Sequence, residues 1–372
     1  MSALFGSQTL DRVSKAISEK FGEVGGERIS LQTVQPLVPF LEFLGEAYRR
    51  NIIEHGDGDL CLCPDLTLAL ALAIASGDMK IGSYNFDGLV FRGSRVDRTA
   101  SPVQRQIGFE IFSTPANIND DSRIVLASIE ALNAAQMEDF KLVFADLGLV
   151  FAVIDSFDVH PNWKRRLKKS FSMPATFERD LLDAQNSEKV SALPRALVDL
   201  TEEDAKDALA DVFSMLKISP FGARSLDDIA SRLIDKASEA DMPLKVEDAD
   251  LLRQICEIEG DIDVAFAELN TLLKHRNEDV IARIGQLQNM FGTLHESGVS
   301  FSGAQFNANL GRELSYYDGF VFECHAPDGT VLGGGGRYDG LLSSLSQEKI
   351  SSGAVGAMLR PDRIAAILDG AA

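Results

Sequence analysis

Long apolar runs are missing from this sequence. The longest, Leu66–Ser76 (LTLALALAIAS), is about eleven residues, against the twenty or so that a bilayer span needs, which excludes a membrane-spanning role. The opening residues, MSALFGSQTLDRVSK, carry no basic segment leading into an apolar core, so no export signal is read and a cytoplasmic location is expected. Cysteine is scarce, four in 372 residues, which excludes a disulfide-stapled scaffold. Cys61 and Cys63 would share one face of an extended segment. A metal site would need two further ligands, yet Cys256 and Cys324 stand alone and His55, His160, His275, His295 and His325 are scattered. No metal is expected, and these thiols read as small packed groups. Basic residues are also few: 36 against 56 acids, a formal charge of −20. Such a surface repels phosphate backbones, so no nucleic-acid partner is expected.

What is present is an ordinary globular composition, 45% hydrophobic and 25% charged, with room for two to three domains. Leu10, Val13, Ile17 and Phe21 recur at helical spacing and predict a helix over 8–23, with Ser7 as its cap. A turn follows at Gly25-Gly26. Val34–Pro39 reads as extended because its prolines disfavour helix before them, and Phe40–Asn51 reads as helix. Leu60–Pro64 alternates. Tyr84–Arg92 and Arg105–Ser113 are strand patterns joined by the polar link 93–103. Asp121–Leu147 reads as one long helix and Val150–Asp155 as a strand. From about 160 to 290 strand signals vanish, and residues 201–280 hold 20 acids against 9 bases. Strand character resumes in Gly298–Asn307, Tyr316–Cys324 and Ala354–Leu359, and Pro361–Leu368 reads as a last helix with proline in its first turn. The basic run Trp163–Lys169 reads as a solvated helix face anchored by Trp163, as a docking surface, or as a nucleic-acid patch.

Three clusters carry candidate chemistry. The run Gly333–Gly336 removes every Cβ, so backbone either makes a tight strand-to-helix turn or approaches a ligand, with Arg337, Tyr338 and Asp339 directly after it. It fits neither the dinucleotide glycine pattern nor a P-loop, and no cofactor is expected. Gln106 and Glu110 lie four apart on one strand and share a face, with Arg92 on the strand before. Glu110 between Phe109 and Ile111 is a half-buried carboxylate that needs a cation or several donors; a structural Arg92–Glu110 pair is the plain alternative. Arg312, Tyr316 and Tyr317 form the third cluster. If the two tyrosines lie on a strand, one lines a pocket and the other packs.

In order along the chain, PDLT (Pro64–Thr67), the strand pair from Phe91-Arg92 to Phe112, RELSYYDGFVFE (Arg312–Glu323), GGGRYDGLL (Gly334–Leu342) and GAVGAMLRPDRI (Gly353–Ile364) resemble the motifs of histidyl-tRNA synthetases and their paralogues. The likeness covers most of 1–160 and 295–372. It implies an α+β fold: a class II aminoacyl-tRNA synthetase-like core, its mostly antiparallel sheet flanked by helices, over 1–160 and 290–372. A helical insertion at 161–289 is expected, and a homodimer through the segment around Pro36. It also implies a histidine pocket. Asp65 and Thr67 match amino-acid contacts, Arg92, Gln106 and Glu110 the second motif, Arg312, Tyr316 and Tyr317 the histidine-specific strand, and Tyr338 the glycine-rich segment.

Departures from the synthetase pattern are specific. Pro102 stands where an arginine reaches ATP, with Arg98 and Arg105 as substitutes at other spacings. Arg360 stands where a glycine leaves room for adenine, Cys63 where arginine is common, and Glu313 and Ser315 replace the usual residues before the tyrosines. No anticodon-binding domain follows the last motif. This pattern resembles the regulatory subunits of ATP phosphoribosyltransferase, which implies no catalytic residues here, a short catalytic subunit as partner in a hetero-octamer, and a part in histidine feedback. The alternative is a divergent histidyl-tRNA synthetase lacking its anticodon-binding domain.

Overall fold

The structure, a computed structural model, describes residues 8–44, 46–56, 58–93, 101–114, 116–186, 202–215, 242–312 and 316–370. Ser7, Arg98, Glu313 and Ser315 lie outside the described residues. The chain divides into two compact units, Met1–Val150 with Cys256–Ala372, and Phe151–Ile255.

The first unit is built on a nine-stranded sheet of spatial order β1-β5-β6-β12-β11-β10-β7-β9-β8. Its strands are β1 (Glu27–Ile29), β5 (Ser83–Phe91), β6 (Val103–Ser113), β7 (Lys141–Asp146), β8 (Glu259–Asp261), β9 (Gln305–Asn307), β10 (Phe320–His325), β11 (Val331–Arg337) and β12 (Gly353–Leu359). Among the described residues, neighbouring strands run antiparallel except in the pairs β1–β5 and β7–β9. A small second sheet joins β2 (Val34–Pro36), β3 (Glu54–His55) and β4 (Leu60–Leu62).

Helix Gln8–Glu23 forms as its spacing predicts, burying Val13, Ile17 and Phe21. Helix Leu66–Ala75 accounts for the long apolar run; Asp65 caps it, accepting from Leu68 N at 2.9 Å. No helix among the described residues is long and apolar enough to cross a membrane. Pro361 starts the last helix, Pro361–Leu368.

Five sequence readings are corrected. The long helix read at 121–147 ends at Ala134, because Gln136 takes φ 66°, and β7 follows. Val150–Asp155 is helical, part of Leu147–Asp155, since a run covered on all sides loses its periodicity. The glycine run is no turn: Gly333–Gly336 lie inside β11, paired with both β10 and β12. Tyr316 and Tyr317 precede β10 and so escape strand alternation. Residues 256–289, expected in the insertion, cluster with the first unit because β8 pairs with β9 at the sheet edge.

A buried ion network ties the sheet to its helices. Arg337 holds Asp121 through Nε at 2.8 Å and through Nη2, and Asp339 through Nη1 at 2.9 Å. Arg283 grips Asp146 through Nε at 3.1 Å and Nη2 at 2.6 Å.

In the second unit, Phe171 stacks edge-on against Phe151 and Phe177. Its helix Pro161–Ser170 carries the basic run. Trp163 is buried under the Arg166 guanidinium, 4.8 Å from the ring centre. Arg166 pairs with Asp180 at 2.6 Å and Asp183 at 3.2 Å, Lys168 pairs with Asp155, and Lys164 donates to the Asp155 carbonyl at 2.8 Å. These three cations are engaged within the chain.

Candidate functional site

A cavity of about 780 Å³ opens on one face of the large sheet. Of the nine residues expected to contact histidine, eight line it: Asp65, Thr67, Arg92, Gln106, Glu110, Tyr316, Tyr317 and Tyr338. Arg312 is the exception. It is buried and donates to Asn309 Oδ1 at 2.6 Å.

Glu110 is the centre of one end. It is 1% exposed, and both carboxylate oxygens accept hydroxyl donors, Oε1 from Thr67 at 2.5 Å and Oε2 from Tyr338. The cation envisaged for it is absent: Arg92 turns instead to Asp65, Nη2 to Oδ2 at 3.3 Å, and to the Pro64 carbonyl, Nε to O at 2.8 Å. Burial therefore pushes the Glu110 carboxyl up to about 8, against the pull of its two hydroxyl donors. Asp65 is also raised, chiefly by burial, with Arg92 and Leu68 N opposing. Tyr316, Tyr317 and Tyr338 form a ring cluster with centres 4.8, 5.7 and 6.2 Å apart, so both adjacent tyrosines face the site. Burial raises all three hydroxyls well above the ordinary tyrosine value, and that of Tyr338 donates to Glu110.

Sheet register explains the space around Glu110. Gly356 of β12 lies directly opposite it, and a Cβ there would overlap its carboxylate. Gly335 behaves alike, its Cβ overlapping the Gly356 carbonyl. The glycines keep the sheet floor flat under the ligand space.

The other end is basic. Gln106 is 2% exposed and its Nε2 is buried without a partner. Arg360, just past β12, also lines the cavity. Arg105 is not available to a ligand, being held bidentate by Asp87, with both contacts at 2.7 Å. Sequence reasoning missed Tyr48, Asn309 and Glu323 as lining residues. Glu323 was accessible in principle, since it alternates with Val321 on β10. No cluster of metal-ligating residues occurs among the described residues. Cys61 and Cys63 are fully buried, and burial pushes their thiols up to about 11 and about 12.

A sheet of this order, with an amino-acid-sized donor set over its glycine floor, defines the class II synthetase-like fold. The family model for histidyl-tRNA synthetase matches residues 7–231 and 226–364. An ATP phosphoribosyltransferase regulatory subunit from Brucella anthropi is 30% identical over 353 residues, covering 91% of this chain and 92% of that protein. One from Brucella ovis is 28% identical over 379 residues, covering 98% and 99%. A crystal structure described as an ATP phosphoribosyltransferase regulatory subunit/histidyl-tRNA synthetase from Bacillus halodurans C superposes with TM-score 0.63 at 19% identity, covering 96% of this chain and 78% of that one, a likeness of fold. The chain belongs to the histidyl-tRNA synthetase family, in the branch of the ATP phosphoribosyltransferase regulatory subunits.

Proposed function

We propose that this chain is a non-catalytic regulatory subunit of ATP phosphoribosyltransferase, the first step of histidine biosynthesis, and that its cavity binds histidine as the feedback signal. The observation that carries the reading is the Glu110 end of the cavity: a buried carboxyl, a neighbouring Asp65, three tyrosine hydroxyls and Thr67, gathered on the scaffold shared with the regulatory-subunit relatives. Glu110 and Asp65 suit an α-ammonium or an imidazole N–H, and the tyrosine rings suit the imidazole plane. In this reading the partner is a short catalytic subunit that holds the reacting groups, the working assembly is a cytoplasmic hetero-octamer of four subunits of each kind, and the class II core supplies a homodimer contact. Aminoacylation is not part of the role. Arg105, a possible nucleotide contact, is locked to Asp87, and Arg360 projects where the synthetase pattern leaves room for a base.

The test mixes the purified chain with a short catalytic subunit. Phosphoribosyltransferase activity that appears on mixing and falls on adding histidine is the expected result. Histidine-dependent exchange between ATP and pyrophosphate by the chain alone would instead establish the divergent synthetase.

A further inference from the structure

The three tyrosines of the amino-acid end come from two places in the chain. Tyr316 and Tyr317 precede β10, and Tyr338 follows β11. Tyr338 is held at both ends, its N donating to the Ala354 carbonyl at 2.8 Å and its hydroxyl to Glu110. Tyr316 and Tyr317 lie before the strand ladder begins, so the ladder does not fix them.

Asp318 joins the two places. Its backbone N and that of Gly319 both donate to the Arg337 carbonyl, at 3.1 and 3.2 Å. Its carboxylate reaches past Tyr338: Oδ1 accepts from Asp339 N at 3.0 Å and Oδ2 from Gly340 N at 2.6 Å. Those N–H groups open the short helix Gly340–Leu345. Asp339 stands in the capping position but makes no side-chain cap bond. Its Oδ1 accepts instead from Ala354 N at 2.7 Å and from Arg337 Nη1 at 2.9 Å. Asp318 therefore caps this helix from 21 residues away. Leu341 and Leu342 of the capped helix pack in the same core as Tyr316 and Tyr338.

Glycines let the two segments close. A Cβ on Gly319 would fall 2.7 Å from the Arg337 Cβ, and one on Gly336 would fall 3.1 Å from the Tyr317 ring. Asp318 itself does not line the cavity. Burial pushes its carboxyl up to about 6, with the N–H groups of Gly340 and Asp339 and the Arg337 charge opposing and the Asp339 carboxylate adding. At neutral pH it is thus largely ionised, and both oxygens accept charge-assisted bonds.

We propose that Asp318 is a positioning residue for the amino-acid end: it locks the Tyr316–Tyr317 segment to the segment of Tyr338, and so sets the three rings against Glu110. Its effect on binding rests on the histidine reading above, whereas its effect on the rings stands without any ligand. A misplacement on the order of 1 Å is enough to cost a site much of its advantage.

Near-ultraviolet circular dichroism and calorimetry on the full-length chain test this. Three of the five tyrosines lie in the cluster, so the tyrosine band reads its packing with no ligand present. Asp318→Ala loses a large part of that band while keeping its far-ultraviolet spectrum, and binds histidine about ten-fold or more weakly, the worth of one charge-assisted hydrogen bond. Asp318→Asn keeps one acceptor oxygen and recovers part of both, and it carries the comparison where the alanine variant does not fold. Asp180→Asn, which removes the charge of a buried carboxylate paired with Arg166 in the second unit, controls for general destabilisation and changes neither. The two readings separate: a wild type that binds no histidine removes the amino-acid reading, while a band lost in the Asp318 variant alone still supports this one. A folded Asp318 variant with the wild-type band overturns the proposal. So does a lost band with unchanged histidine affinity, or an equal loss in Asp180→Asn.

Discussion

Replacing Glu110 by glutamine should reverse in effect across the neutral pH range. The carboxyl is buried, and its folded value of about 8 exceeds the ordinary 4.5. Between those values the folded chain keeps a proton that the unfolded chain has released. Stability from this group is therefore full below about pH 4.5 and is lost as pH rises through about 8. The whole displacement, from 4.5 to about 8, is worth about 5 kcal/mol at roughly 1.4 kcal/mol per pH unit. E110Q stays neutral and carries no such slope. Urea unfolding at unit intervals from about pH 5 to about pH 9 reads the difference. The variant should be equal to or slightly less stable than wild type at the acid end and more stable by about 3–4 kcal/mol at the alkaline end. Asp121 and Asp318, each raised to about 6, titrate in both proteins and cancel in the comparison. A gap that stays constant over the range would mean that Glu110 is already charged in the empty cavity, and the argument from its burial would fail. A second arm follows from the same proton: at about pH 7 a cationic ligand group must expel it, so histidine binding measured in buffers of different ionisation enthalpy should release close to one proton.

Other predictions rest on single contacts. Tyr338→Phe removes a donor that favours the charged form of Glu110, so the pH at which the E110Q comparison reaches its midpoint should move upward, read by the same unfolding series. Gly356→Ala places a methyl on the Glu110 carboxylate and should cost about 2 kcal/mol or more in urea unfolding, with loss of histidine binding by calorimetry. Arg337→Met strands the buried Asp121 and should cost about 3–5 kcal/mol, of which the double variant with Asp121→Asn recovers a part.

The fold was legible where one face of an element meets solvent. Helix Gln8–Glu23 announces itself because Val13, Ile17 and Phe21 stand against polar neighbours, and β5 and β6 do so through alternation and a polar link. Helix Leu147–Asp155 was not legible, because an unbroken apolar run fits strand and helix equally. The glycine run misled for a related reason: composition reports that Cβ atoms are absent, but whether backbone turns or lies flat depends on β10 and β12 on either side. In the site, residue types and motif order pointed to eight lining residues, since each is carried by a short local pattern. Pairing was not legible. Arg92 goes to Asp65 and Tyr338 to Glu110 across separations of 27 and 228 residues, which only the sheet order sets. Arg360 drew notice by its size. That it stands against Gln106 follows from the register of β6 and β12.

That register also explains how one sheet face can hold two unlike ends. Along β6, positions 106, 108 and 110 point the same way, and the middle one is glycine. A side chain at 108 would meet the Phe86 ring and the Ala357 carbonyl, so the row between the ends is taken by Phe86 and by Met358, which lies opposite Gly108. Glu110 is thereby kept apart from Gln106 and Arg360: its hydroxyl donors come from Thr67 and Tyr338, while the charges bearing on Arg360 come from Arg92, Arg363, Glu323 and Asp362. A direct Glu110–Arg360 pair would hold the carboxyl low and the guanidinium high, and each departs in the opposite direction. Among the described residues the two groups make no such pair, and each keeps its own set of neighbours.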